Sequence, residues 1–91
     1  MLFALICVDK PGAENLRLAN RQDHLAYARE SGMVTLGGPF LAEDGETMIG
    51  SLIIIEAPDR AAAEAFVDKD PYTRAGLFEQ VEIRPWKRAI G

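Results

Sequence analysis

Two segments of this sequence are apolar in a way that only an interior strand tolerates. Leu2–Val8 reads LFALICV, with no polar side chain at all, and Thr47–Glu56 reads TMIGSLIIIE, with four consecutive aliphatic residues from Leu52 to Ile55. Side chains alternate across a strand, so Leu2, Ala4, Ile6 and Val8 point one way while Phe3, Leu5 and Cys7 point the other. Leu52 and Ile54 oppose Ile53 and Ile55 in the same manner. Strands that are apolar on both faces belong in the middle of a sheet whose two faces are both covered. The fold of this chain must therefore supply two covers.

The remaining segments supply one. After the turn at Asp9-Lys10-Pro11-Gly12, a helix is expected from Ala13 or Glu14 to a glycine C-cap at Gly32. Its stripe of Leu18, Leu25, Ala28 and Gly32 is the face expected to pack on the sheet. Met33–Leu36 reads as a short strand that ends at Gly37-Gly38-Pro39. An Asp44-Gly45 turn then leads into the Thr47–Glu56 strand. Asp59 is the expected N-cap of a second helix, with Ala62, Phe66 and Ala63 facing inward and Pro71 ending it. A turn of helix at Thr73–Gly76 precedes a last strand, Leu77–Trp86. There Val81 and Ile83 alternate with Glu82 and Arg84, and Pro85 suits an edge.

The order is β-α-β-β-α-β, the split βαβ arrangement of the ferredoxin-like fold: an α+β domain with a four-stranded antiparallel sheet and two helices on one face. Residues 1–91 form one expected domain, since 91 residues allow a modest core and no second one. Two helices cover one face. The second apolar face is expected to meet another copy of itself, giving a homodimer through the sheet face.

Composition narrows the function. Ten basic against 14 acidic residues leave a net charge of −4, which argues against a general nucleic-acid binder but leaves room for a local arginine site for one small anion. The single cysteine, Cys7, and the single histidine, His24, leave no disulfide and no multi-histidine or cysteine metal site within the chain. Neither a metal nor a cofactor is expected. Cys7, in an apolar run, reads as a reduced packing residue. The short apolar start has no basic n-region, so neither a signal peptide nor a membrane contact is expected, and the default setting is cytoplasmic.

His24 is the chemical lead. It stands one residue, about 100°, from Leu25, at the margin of the expected packing stripe. Arg21 precedes it by three residues and Arg17 by seven, so both share its flank.

Four short motifs resemble the YciI-like proteins. They are Arg21-Gln22-Asp23-His24-Leu25 (R-x-x-H-L), Gly38-Pro39, Asp70-Pro71-Tyr72 followed by Ala75-Gly76-Leu77-Phe78, and Arg84-Pro85-Trp86. They occur in family order and span nearly the whole chain. The Phe40–Gly45 loop is short beside longer family members. The resemblance implies a dimeric α+β barrel and a site centred on His24 and Asp70. It also implies small organic acids as the substrate class, since one relative is a dehydrochlorinase of a ring-cleavage muconate.

On that basis Asp70 would accept a hydrogen bond from one ring nitrogen of His24 and leave the other free as general base or acid. Arg21, or in second place Arg17, would hold a substrate carboxylate or an enolate. Gly38 and Pro39 would form a wall, and Tyr72 an aromatic surface with a hydroxyl. No strong nucleophile is present, so these groups suit isomerisation or elimination better than acyl transfer. Asp9 is a second carboxylate within reach of the helix, though a turn role suits it better. The same pocket would also serve a non-catalytic small-ligand binder, an accessory dimer, or an oxygenase of the related cofactor-free barrels.

Overall fold

The computed structural model describes residues 1–91. The elements run β1 (Leu2–Asp9), α1 (Glu14–Ser31), β2 (Val34–Leu41), β3 (Met48–Glu56), α2 (Arg60–Lys69), α3 (Pro71–Arg74) and β4 (Phe78–Trp86). The sheet order is β2-β3-β1-β4, and every pairing is antiparallel. The two strands that are apolar on both faces, β1 and β3, are the central pair. The alternating strand, β4, is an edge. This is the ferredoxin-like arrangement that the order of elements implies.

Register places Phe3, Leu5 and Cys7 of β1 across from Ile55, Ile53 and Ser51 of β3. These side chains form the floor of the core, and Ala63, Phe66 and Val67 of α2 close it from above. Asp59 caps α2 by accepting the Ala62 amide at 2.9 Å. Tyr27 of α1 joins α2 through its hydroxyl, which donates to the Phe66 carbonyl at 2.7 Å. Cys7 lies within this core. Burial pushes its thiol up to about 12, and the Asp70 charge adds to the shift, so it is a packing residue with no thiolate character at neutral pH.

Gly50 is the tightest point of the sheet. It lies opposite Val8, and a Cβ there would run into the Cys7 carbonyl oxygen. Only glycine lets β3 approach β1 at this position.

The opposite face carries no helix. Ala4 and Ile54 are nonetheless buried, because Ile6, Leu52, Arg84 and Trp86 surround them. At its margins Leu36 is 49% exposed and Trp86 40% exposed. No helix is long and apolar enough to cross a membrane.

Two expectations are corrected. The second strand does not end at Leu36: β2 continues through Gly37, Gly38 and Pro39 to Leu41, pairing them with Ile53, Leu52 and Ser51. Neither glycine has a positive φ. A proline is tolerated because β2 is an edge, with no second neighbour to require its amide. Irregular register between Val34 and Leu36, and again between Phe40 and Leu41, bends the strand without breaking it.

The first helix is also rotated. Its buried residues are Arg17 and His24, and Leu18 is 53% exposed. The inward stripe thus runs one residue earlier than the hydrophobic pattern implies, a turn of about 100° about the axis. What lies beneath this helix explains it. The sheet offers Asp9 and Ser51 there, and the junction of α2 and α3 offers Asp70, so polar groups find partners where aliphatic ones would not.

Candidate active site

The sequence Asp70-Pro71-Tyr72 folds into one compact device. Pro71 keeps Asp70 out of the α region, at φ −63 and ψ 130, and α2 stops at Lys69. Pro71 is then the first residue of α3, where its missing amide costs nothing. Asp70 caps this single turn by accepting the Tyr72 amide at 2.9 Å. The same carboxylate receives His24 Nδ1 at 2.8 Å and 3.0 Å. An ionised carboxylate only accepts, so an ionised Asp70 selects the tautomer with the proton on Nδ1. Nε2 has no partner within the chain, and the imidazole lines an open cleft.

Tyr72 follows directly and stacks on the His24 ring, with centroids 4.0 Å apart and planes at 12°. Its far edge meets Phe78 in a T-shaped contact at 5.9 Å. The Arg17 guanidinium lies over the same tyrosine ring, 4.7 Å from its centroid, within cation–π range. Arg17 and His24 are two turns apart on α1, about 10.5 Å along the axis, and the ring fills the interval between them. Burial pushes the Tyr72 phenol up, against the pull of the Arg17 and Arg21 guanidinium groups, so it is protonated at neutral pH.

Arg17 is itself held from the sheet. Its Nε donates to Asp9 at 2.7 Å and its Nη2 to Asp9 at 2.8 Å and to Ser51 at 3.0 Å. Burial opposes this charge, but the hydrogen bonds and negative charge of Asp9 outweigh it and raise the pKa above the ordinary arginine value. Both carboxylates of the cluster, Asp9 and Asp70, are therefore consumed beneath the helix.

The cleft lies between α1 and the β2–β3 edge and encloses about 390 Å³. Arg17, Arg21, His24, Tyr72, Gly38 and Pro39 all line it, so the structure gathers every site residue expected from the sequence except Asp70, which stands behind His24. It adds Arg29 and Ser51, with Leu25, Ala28, Val34 and Ile53 as apolar wall. Arg29 recurs eight residues after Arg21 on the same helix, and that spacing was its only sequence signal. No carboxylate lines the cleft, although the chain as a whole is acidic. No cluster of three or more His, Cys, Asp or Glu side chains could hold a metal ion.

With this geometry in place, comparison with known proteins gives a consistent result. The model of the YCII-related domain matches residues 1–87, so the chain belongs to that family. Protein YciI of Escherichia coli O6:H1 is 33% identical over 98 residues, covering 99% of this chain and 100% of that protein. The 5-chloro-2-hydroxyhydroquinone dehydrochlorinase TftG of Burkholderia phenoliruptrix AC1100, solved in complex with 2,5-dihydroxybenzoquinone, is 36% identical. It superposes with a TM-score of 0.88 over 98% of this chain and 96% of that one. An antibiotic biosynthesis monooxygenase, 18% identical, superposes with a TM-score of 0.60 over 99% of this chain and 100% of its own, and shares the dimeric α+β barrel fold alone.

The Arg17–Asp9 pair is buried on both sides, with side chains 2% and 4% exposed. Removing one partner leaves the other charged and unpaired. Asp9→Ala is expected to lower stability by about 3–5 kcal/mol in urea unfolding, and Asp9→Ala/Arg17→Met to recover part of that loss. A loss below about 1 kcal/mol would show that the pair is solvated.

Proposed function

We propose that this protein is a general acid–base enzyme that moves or removes a proton on a small organic anion, with His24 as the base and Asp70 as its positioning partner. The observation that carries this reading is the cleft lining: one imidazole with a free Nε2, three guanidinium groups and no carboxylate. Such a cleft favours an anionic ligand beside a neutral base.

In the proposed reaction Nε2 takes a proton from an O–H or C–H of the substrate. The electron pair left behind forms a C=O or C=C bond. In an elimination the leaving group departs as an anion with its bonding pair, and His24 afterwards returns its proton to solvent. In an isomerisation the proton goes back to a different carbon. Asp70 holds Nδ1–H throughout and stabilises the imidazolium between the two steps. Arg21 faces the charge that develops on oxygen, and the stacked Tyr72 ring keeps the imidazole plane in place. Gly38 and Pro39 leave room for a flat substrate along the β2 wall. The dehydrochlorinase activity named for TftG, at 36% identity over nearly the full length, supports elimination from a hydroxylated ring as the first chemistry to test.

The enzyme is further proposed to work as a homodimer through its helix-free sheet face. Support comes from the exposed Leu36 and Trp86 around a groove floored by Ile54 and Leu52.

Two outcomes are expected. In assays with 5-chloro-2-hydroxyhydroquinone and small unsaturated acids, His24→Gln should lose turnover by roughly 10²–10⁴-fold while ligand affinity stays within a few-fold. Tight binding by the wild type with no turnover of any of these would replace the enzyme by a ligand-binding protein. In sedimentation velocity the wild type should run as a dimer and Leu36→Glu as a folded monomer. A monomeric wild type would remove the sheet-face contact.

A further inference from the structure

The three guanidinium groups of the cleft are not equivalent. Arg17 is neutralised by Asp9 and fixed by Ser51. Arg21 and Arg29 take no part in any of the chain's four ion pairs and donate no side-chain hydrogen bond within it. Two cations therefore face the cleft uncompensated, in a protein with an overall negative charge.

Their spacing is informative. Eight residues of α1 separate them, about 12 Å along the helix axis, and His24 stands between them, about 4.5 Å from the Arg21 level and 7.5 Å from that of Arg29. The wall between the two is apolar, made of Leu25 and Ala28 from the helix and Val34 and Ile53 from the sheet. A molecule with a single acidic group would satisfy one guanidinium and leave the other facing that wall.

We propose that Arg21 and Arg29 are separate anion subsites and that the cleft takes a small dianion: two acidic groups on an apolar body, with the reacting atom beside His24 between them. The proposal rests on the proton-transfer reading for the part played by His24, and on the two arginines alone for binding.

Calorimetric titration of the intact protein tests it without turnover. The probes are matched pairs: benzoate against the three benzenedicarboxylates, and hexanoate against adipate. At least one dianion is expected to bind ten-fold or more tightly than its monoanion. Arg29→Gln should remove that advantage and leave the monoanion affinity unchanged, whereas Arg21→Gln should weaken both. Arg29→Lys, which keeps the charge and the last-turn position, should retain part of the preference. His24→Gln should retain it fully, so failure of the catalytic reading is separable from failure of this one. The proposal is overturned if no dianion binds better than its partner, if Arg29→Gln matches the wild type, or if Arg29→Lys loses as much as Arg29→Gln.

Discussion

The Asp70 carboxylate accepts hydrogen bonds from the Tyr72 amide and the His24 imidazole at the same time, and the conformation that allows this comes from Pro71. Without the proline, α2 would have no reason to stop at Lys69. Without the stop there would be no N-cap, and the carboxylate would have no fixed direction. The next residue, Tyr72, then lays its ring on the imidazole that Asp70 holds by the edge. Three consecutive residues thus constrain one histidine in plane, tilt and tautomer, on a helix that comes from a distant part of the chain. The orientation of α1 follows from this cluster, since its inward side chains are those that meet Asp9, Ser51 and Asp70.

The electrostatics are arranged in two layers. Below the helix, Asp9 and Asp70 are matched against Arg17 and His24, in a region too buried to leave either unpaired. Beside it, toward β2, the cleft shows guanidinium groups without carboxylates. A buried ion pair is a weak source of net stability, because desolvation offsets most of its attraction. What the Asp9–Arg17 pair does supply is a fixed cation over the Tyr72 ring, which also stacks on the catalytic candidate itself. Asp9 therefore bears on His24 through two intermediates without touching it.

Much of the fold was legible because β1 and β3 are apolar on both faces and β4 on only one, which places the first two at the centre and the last at an edge before any contact is known. Gly32, Asp59 and Pro71 marked their helix boundaries by ordinary capping chemistry. The rotation of α1 was not legible. Hydrophobic periodicity assumes that the sheet beneath a helix is apolar, and here it carries Asp9 and Ser51. The path of β2 through Gly37-Gly38-Pro39 was hidden for a related reason, since turn residues on an edge strand look the same as a turn. In the site, His24 and Asp70 came from motif resemblance more than from spacing, because 46 residues separate them. Asp9 read as a turn residue because nothing local reveals its partner eight residues later. Arg29 stands out in the sequence only by its eight-residue spacing from Arg21, and its place on the cleft comes from how α1 packs on the sheet.

The proposed chemistry depends on Asp70 holding His24 as the Nδ1–H tautomer with Nε2 bare toward the cleft. The direct measurement is a long-range ¹H–¹⁵N correlation spectrum of the imidazole at pH 9, well above the ordinary histidine range near ~6.5. The chain has a single histidine, so the signals need no assignment. A protonated Nδ1 and an unprotonated Nε2 are expected, the reverse of the form that free histidine prefers. A proton on Nε2, or rapid averaging between the two nitrogens, would contradict this.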